Sequence, residues 1–220
     1  MNKVHLIDNM EFMKGIPDKY YELAIVDPPY GIERFKKNDG GNSNKIKSFG
    51  DKDKLWNNIA PTKEYFNELF RISQHQIIWG SNNFDLPTSE YFIIWDKMQM
   101  MPSFARCELA WTNVKIPAKI CNQRTIEKDR VKIHPTQKPV ALYKWLLKNY
   151  AKPNDKIFDS HVGSGSIRIA CHDMGFDFEG CEIDKDYWEA QEARYNQHIM
   201  QGDLFSVEDM QKGIYQEAFL

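Results

Sequence analysis

The chain has 220 residues, of which 42% are hydrophobic and 27% are charged, and its formal net charge is -2. This length predicts one well-buried domain over residues 1–220, and the composition excludes a disordered or fibrous protein. Its apolar runs are much shorter than the roughly 20 residues of a membrane-spanning helix, and its scattered cysteines indicate reduced thiols. We therefore expect a cytoplasmic protein with no membrane partner.

Strands and helices alternate along the predicted chain. Short apolar runs predict strands at 4–7, 23–26, 76–79, 92–95, 108–111, 156–158 and 178–181. Apolar residues at three- and four-residue spacing predict helices at 62–72, 138–150, 167–174 and 186–200. This alternation is typical of an α/β fold with a mostly parallel, twisted sheet and helices on both faces.

Two polar segments, 31–58 and 113–133, interrupt this alternation and are expected to be loop insertions. The stretches 31–54 and 113–138 carry excess charges of about +3 and +5, whereas the chain after residue 172 carries about -9. Long basic loops favour contact with a polyanion such as nucleic acid. The alternative is a set of solvated lysines with no partner.

The tetrad Asp27-Pro28-Pro29-Tyr30 follows directly after the strand predicted at 23–26. Ligand sites of open α/β sheets lie beyond the carboxyl ends of the strands. The two prolines stiffen the turn and leave the Pro28 carbonyl able to accept a hydrogen bond. A carboxylate, a rigid carbonyl and an aromatic face suit an amino group on a planar ring, although the same residues could simply end a strand in a stiff turn.

A second strand, turn and helix run through Asp159 and the sequence Gly163-Ser164-Gly165. Glycines at this position let a ligand approach the backbone near the N-terminus of a helix. Glu182 ends the next predicted strand at the spacing of an acidic residue that binds the two hydroxyls of a ribose. The combination predicts a nucleoside-binding site, and the alternative is a tight turn followed by a surface carboxylate.

Three motifs resemble the amino-methyltransferases of DNA: DPPY at 27–30, HPTQKP at 134–139 and D-x-x-x-GSG at 159–165. DPPY precedes the other two, an order similar to the circularly permuted β-type members of that family. Weaker matches at 8, 77–82, 92–97 and 107–111 extend the resemblance over nearly the whole chain. The resemblance implies a Rossmann-like fold and the cofactor S-adenosylmethionine.

The resemblance also implies roles for individual residues. The base-holding residues would be Asp27, Pro28, Pro29 and Tyr30. The cofactor residues would be Asp8 near the adenine, Thr136, Gln137 and Lys138 closing the pocket, Asp159, Gly163, Ser164 and Gly165 around the methionine part, and Glu182 on the ribose. No metal is expected, and His161, where the family commonly has Phe or Met, is given no catalytic role.

The resulting hypothesis is a site-specific methyltransferase that modifies N6 of a flipped adenine in double-stranded DNA. The alternatives are N4 of cytosine, an RNA or protein-amide substrate, and a catalytically silent DNA-binding subunit. The candidates for DNA contact in the basic segments are Lys36, Lys37, Lys128 and Arg130. A homodimer and a cognate restriction endonuclease are the further partners that this hypothesis allows.

Overall fold

The computed structural model describes residues 1–31, 59–100, 105–125 and 132–204. In these ranges the strands are β1 Asn2–Leu6, β2 Tyr21–Val26, β3 Ser73–Trp79, β4 Phe92–Asp96, β5 Cys107–Thr112, β6 Lys119–Asn122, β7 Lys156–Asp159 and β8 Asp177–Glu182. The helices are α1 Asn9–Lys14, α2 Lys63–Ile72, α3 Val140–Tyr150, α4 Ser166–Met174 and α5 Lys185–Leu204, with a short 3-10 turn at Ser81–Asn83. No described helix is long and apolar enough to cross a membrane.

The described strands form one sheet in the order β1-β8-β7-β2-β3-β5-β4-β6. Strand β5 runs antiparallel to both of its neighbours, β3 and β4. All other neighbouring strands are parallel, which confirms the mostly parallel sheet expected from the sequence.

Helices cover both faces of the sheet, as the alternation of strands and helices predicted. In β3, Ile77 and Trp79 pack in the core cluster that contains α3 and α4 residues. The residue between them, Ile78, packs in a second cluster with α1 and α2 residues. Successive side chains of a strand point to opposite faces, so a run that is apolar without alternation requires this two-sided cover. The Rossmann-like fold class is confirmed.

The sequence did not predict α1 or β6. Strand β6 lies within 113–133, so the prediction that this segment is entirely a loop was wrong. Only Cys121 of its four residues is buried, and pairing with β4 rather than an apolar pattern makes the segment a strand. Residues 32–58 and 126–131, which include Lys36, Lys37, Lys128 and Arg130, lie outside the described residues. All four cysteines are free thiols.

Candidate active site

Four neighbouring strands bring the predicted site residues to one edge of the sheet. Because β1, β8, β7 and β2 are adjacent and parallel, their carboxyl ends meet at the same edge. The residues at or just beyond these ends are Asp8, Glu182, Asp159 and Asp27, in the same order as the strands. The sheet therefore brings together four acidic residues that are spread over more than 170 positions of the sequence.

The DPPY turn places Asp27 and Tyr30 in direct contact. The Tyr30 hydroxyl donates a hydrogen bond of 2.7 Å to Asp27 Oδ1. Burial and the carboxylates of Asp27 and Glu108 raise the pKa of Tyr30, so this hydroxyl stays protonated and remains a donor. One oxygen of the Asp27 carboxylate is thereby fixed in orientation.

Gly80 packs against the Tyr30 ring. It follows β3 with φ 68°, and a β-carbon built on it would lie 2.2 Å from Tyr30 Cε1. Only glycine both adopts this left-handed backbone at low cost and leaves room for the ring. The ring of Phe84 meets Tyr30 edge-on with centroids 6.1 Å apart, so the aromatic ring is held from a second side.

The structure places Lys138 with the DPPY turn. Its side chain is 4% exposed, and Nζ lies 2.5 Å from Asp27 Oδ2 and 3.1 Å from Glu108 Oε2. The same ammonium is 3.4 Å from the Tyr30 hydroxyl. Burial alone would lower the pKa of Lys138, but the carboxylates of Asp27 and Glu108 raise it above its ordinary value. Lys138 is therefore a buried cation.

Glu108 and Lys97 complete this cluster, and the sequence did not identify either as a site residue. Because β5 is antiparallel, its beginning lies at the edge where β4 ends, and Glu108 pairs with Trp95 across the two strands. Lys97 Nζ lies 2.5 Å from Glu108 Oε1. Burial favours the neutral acid, but the ammonium groups of Lys138 and Lys97 lower the pKa of Glu108, so it is ionised. The sequence feature that could have identified Glu108 is that it is the one charged residue in the otherwise mostly apolar strand CELAWT.

The glycine turn after β7 is held by Glu182. Gly163 and Gly165 both have positive φ, 52° and 71°. Glu182 accepts hydrogen bonds of 2.9 Å from the backbone N–H groups of Gly163 and Asp184, one on each oxygen. The Glu182 carboxylate, at the carboxyl end of β8, is thus hydrogen-bonded directly to the glycine turn.

Two further contacts support the turn from outside. Arg194 of α5 donates a hydrogen bond of 2.8 Å to the Ser164 carbonyl. The His134 ring lies over Gly163, 3.6 Å from where a β-carbon would be. The HPTQKP motif therefore packs directly against the glycine turn, although Thr136 itself is exposed and Gln137 Oε1 accepts a local hydrogen bond of 3.0 Å from Ile133 N.

Asp159 is a buried carboxylate next to these groups. It is 1% exposed, and its Oδ1 accepts a hydrogen bond of 2.9 Å from the backbone N–H of His161. Burial, together with the charges of Asp27 and Glu182, raises the pKa of Asp159 to about 8. The folded protein therefore keeps this group protonated at neutral pH, and a cationic ligand beside it would stabilise its ionised form.

Asp8 caps a helix. It directly precedes α1, and its Oδ1 accepts hydrogen bonds from the backbone N–H groups of Met10 at 2.9 Å and Glu11 at 3.1 Å. The carboxylate lies at the same edge as Glu182, but the contacts described for it are those of an N-cap.

His161 belongs to a polar network that joins the β7 turn to α1 and α2. Its Nδ1 lies 2.9 Å from Ser160 Oγ, and its Nε2 lies 3.0 Å from Asn9 Nδ2. Ser160 Oγ in turn lies 2.7 Å from the hydroxyl of Tyr65. Burial lowers the pKa of His161 to about 4, so the ring is neutral. These contacts explain the departure from the family pattern at 160–161 as a structural substitution.

Comparison with known proteins identifies the family of the chain. The model of the N6/N4 methyltransferase family, described as DNA methylase, matches residues 51–193. The chain is 23% identical to the Type II methyltransferase M1.MboII of Moraxella bovis, over 85% of this chain and 94% of that protein. It is 21% identical to the Type II methyltransferase M.BglII of Bacillus subtilis, over 85% of this chain and 67% of that protein.

Solved structures share the fold at low sequence identity. The complex of M1.HpyAVI with S-adenosylmethionine superposes with a TM-score of 0.57 at 20% identity, covering 88% of this chain and 100% of that one. The cytosine-N4-specific PvuII DNA methyltransferase gives 0.56 at 14% identity, covering 87% and 85%. A putative DNA modification methylase from Thermus thermophilus complexed with S-adenosylmethionine gives 0.53 at 15% identity, covering 90% and 94%.

Proposed function

Because the chain belongs to the N6/N4 family of DNA methylases, whose members depend on S-adenosylmethionine, we propose that it methylates N6 of a flipped adenine at a specific site in double-stranded DNA. The observation that carries this proposal is the position of Asp27. Asp27 directly follows β2 on a double-proline turn, its carboxylate lies next to the Tyr30 ring, and β2 is the neighbour of β7, which precedes the glycine turn.

The residues around the glycine turn fit S-adenosylmethionine. Glu182 offers a carboxylate to the ribose hydroxyls at the carboxyl end of β8. Asp159, whose pKa burial raises to about 8, gains a counterion if the ammonium of the methionine part lies beside it. The positive φ of Gly163 and Gly165 opens the backbone to the ligand at the beginning of α4.

The cofactor supplies a methyl group on a positively charged sulfur, which departs as a neutral thioether. The chain therefore needs to supply alignment more than acid or base chemistry, and alignment contributes several kcal/mol to such a step. Asp27 and the Pro28 carbonyl accept the two hydrogens of the amino group, which directs its lone pair away from the ring. Asp27 also stabilises the positive charge that grows on the amine nitrogen as it is methylated, and the methylated nitrogen then releases one of its two protons to solvent.

The base must leave the duplex before it can reach Asp27. Flipping costs a few kcal/mol, and stacking on an aromatic ring offsets part of that cost. Tyr30 is the ring available for stacking, since Gly80 and Phe84 hold it beside Asp27. The basic segments that would contact the DNA backbone fall largely outside the described residues.

Cytosine N4 is the second candidate target. It is also an amino group on a planar ring, and the fold is shared with the cytosine-N4-specific PvuII enzyme. We favour adenine because DPPY, with Asp27 rather than Ser in first position, resembles the adenine-specific members. Relatives named Type II methyltransferases further support a companion restriction endonuclease.

Nucleoside mass spectrometry tests the proposal directly. The purified chain is incubated with unmethylated plasmid DNA and labelled S-adenosylmethionine, and the DNA is then digested to nucleosides. We expect N6-methyladenine with the wild type, and at least a hundredfold less with Asp27→Ala, because an essential electrostatic group is removed.

Asp18→Ala is the matched control. Asp18 is an exposed carboxylate that precedes β2 at the opposite edge of the sheet and pairs only at the surface with Arg71. This variant should retain full activity. N4-methylcytosine as the product would favour the second candidate, and no methylated DNA at all would contradict the proposed function.

A further inference from the structure

The Asp27 carboxylate is already engaged on both oxygens. Tyr30 donates to Oδ1 at 2.7 Å, and the Lys138 ammonium lies 2.5 Å from Oδ2. An amino group of a base that is to bind Asp27 therefore meets a cation at the place it must occupy. Two positively polarised groups cannot share one carboxylate oxygen without weakening each other's contact.

Glu108 offers the same ammonium a second position. Its Oε2 is 3.1 Å from Lys138 Nζ, so only a small rotation of the lysine side chain separates contact with both carboxylates from contact with Glu108 alone. Lys97 holds the other oxygen of Glu108 at 2.5 Å and fixes the carboxylate in place. The four groups form a row of alternating charge, in the order Lys97, Glu108, Lys138 and Asp27.

The second position matters because Lys138 is buried. A buried ammonium that loses its counterion costs several kcal/mol. Without Glu108, a Lys138 ammonium that left Asp27 would have no carboxylate partner, although its side chain is only 4% exposed. With Glu108 present, Lys138 can leave Asp27 and stay paired.

We propose that Lys138 and Glu108 are positioning residues for the target base: Lys138 holds Asp27 in the free enzyme and moves onto Glu108 when the amino group of the flipped base binds Asp27. This inference rests on the proposed function. It assigns Lys138 to the base side of the site, whereas the resemblance alone implied a place in the cofactor pocket.

Methyl transfer itself favours the displaced position. Positive charge grows on the amine nitrogen beside Asp27, and an ammonium on the same carboxylate opposes that charge. Moving Lys138 onto Glu108 relieves this repulsion, so the displaced arrangement binds the transition state more tightly than the arrangement seen in the free protein.

Kinetics of two variants, compared with the wild type, test the inference on the DNA that the wild type methylates. Glu108→Gln keeps the shape of the side chain but removes the second position, so Lys138 stays on Asp27. We expect kcat/KM for DNA to fall at least about tenfold, while the Kd for S-adenosylmethionine changes less than about twofold.

The double variant Glu108→Gln/Lys138→Met gives the distinguishing result. If Glu108 acts by accepting Lys138, removing the lysine frees Asp27, and the double variant should be at least about threefold more active than Glu108→Gln alone. A purely structural Glu108 predicts the reverse, because losing a second buried group adds to the damage. A double variant as inactive as the single one, or Glu108→Gln as active as wild type, would overturn the inference.

Crystallography of the wild type covers the case in which Glu108→Gln does not fold. In a complex with target DNA and S-adenosylhomocysteine, Lys138 Nζ should contact Glu108 and lie more than about 4 Å from Asp27. An ammonium still bonded to Asp27 with the base in place would contradict the inference. A wild type that methylates no DNA would instead refute the proposed function, which the same assay reports separately.

Discussion

Gly80 is the residue on which the position of the Tyr30 ring depends. A β-carbon at this position would lie 2.2 Å from Cε1 of the ring, and φ is 68°. We predict that Gly80→Ala displaces the ring and lowers kcat/KM at least about tenfold, beyond the 1 kcal/mol or so of stability that backbone strain costs. Steady-state kinetics and urea unfolding measure the two effects.

Gly175→Ala is a matched control for that substitution. Gly175 has φ 74° at the end of α4, but a β-carbon there meets no atom within 4 Å. It should lose a similar amount of stability and keep full activity. Equal losses of activity in both variants would show that strain, not the contact with Tyr30, is responsible.

Some residues of the candidate site could be predicted from local sequence, and others could not. Asp27, Tyr30 and Asp159 lie in short motifs that carry their chemistry within a few residues. Glu108 and Lys97 reach the site only because β5 runs antiparallel beside β4. No local sequence pattern around either residue indicates this strand pairing. The contact of Lys138 with Asp27 likewise joins residues more than 100 positions apart.

Among the individual elements, helix α1 depends on its N-cap residue Asp8 for stability. Two backbone N–H groups are satisfied by its Oδ1, and an uncapped helix of six residues has little other local support. We predict that Asp8→Ala lowers the free energy of unfolding by about 1 kcal/mol, whereas Asp8→Asn, which retains a capping oxygen, stays close to the wild type.

Cofactor titration completes that test. Asp8→Asn should bind S-adenosylmethionine as the wild type does if the side chain serves the helix alone. A weaker Kd in Asp8→Asn, with stability unchanged, would instead assign the carboxylate to the adenine of the cofactor.

The long, strongly patterned elements were the predictable ones. Strands β2 and β3 and helices α2 and α3 lie within a few residues of their predicted bounds, since each buries several apolar side chains at regular spacing. Helix α1 and strand β6 are short and carry little periodic signal, so capping and pairing with β4 determine them.

At the scale of the whole molecule, Asp159 couples folding to pH. Burial raises its pKa to about 8 in the folded protein, whereas the unfolded chain has the ordinary value of about 3.9. Between those two values the folded state retains a proton that the unfolded state releases. The free energy of unfolding should therefore fall as pH rises from about 4 to about 8.

Asp159→Asn isolates this effect. The amide cannot ionise, but its oxygen can still accept the hydrogen bond from His161 N. At pH 8 the variant should exceed the wild type in stability by about 1 kcal/mol or more, and the difference should narrow toward pH 4. Urea unfolding over this range measures it, and parallel curves for the two proteins would contradict the assignment.

The alternation of strand-like and helical apolar segments along the chain predicted the overall α/β architecture, but it did not predict the order of the strands in the sheet. Sequence patterns show that a strand is buried on both faces without naming its neighbours. The order of the motifs resembles a circularly permuted arrangement, but it did not predict that β1 pairs with β8.

The pairing of β1 with β8 also constrains how the molecule can be made. Asn2 pairs with Phe178 and Leu6 with Glu182, so β1 can be hydrogen-bonded in the sheet only after β8 has been synthesised. Strand β2 meets β7 only after residue 156 has been synthesised. Contacts of such long sequence separation fold slowly. The edge of the sheet that carries Asp8, Glu182, Asp159 and Asp27 therefore assembles only after residue 182 has been synthesised.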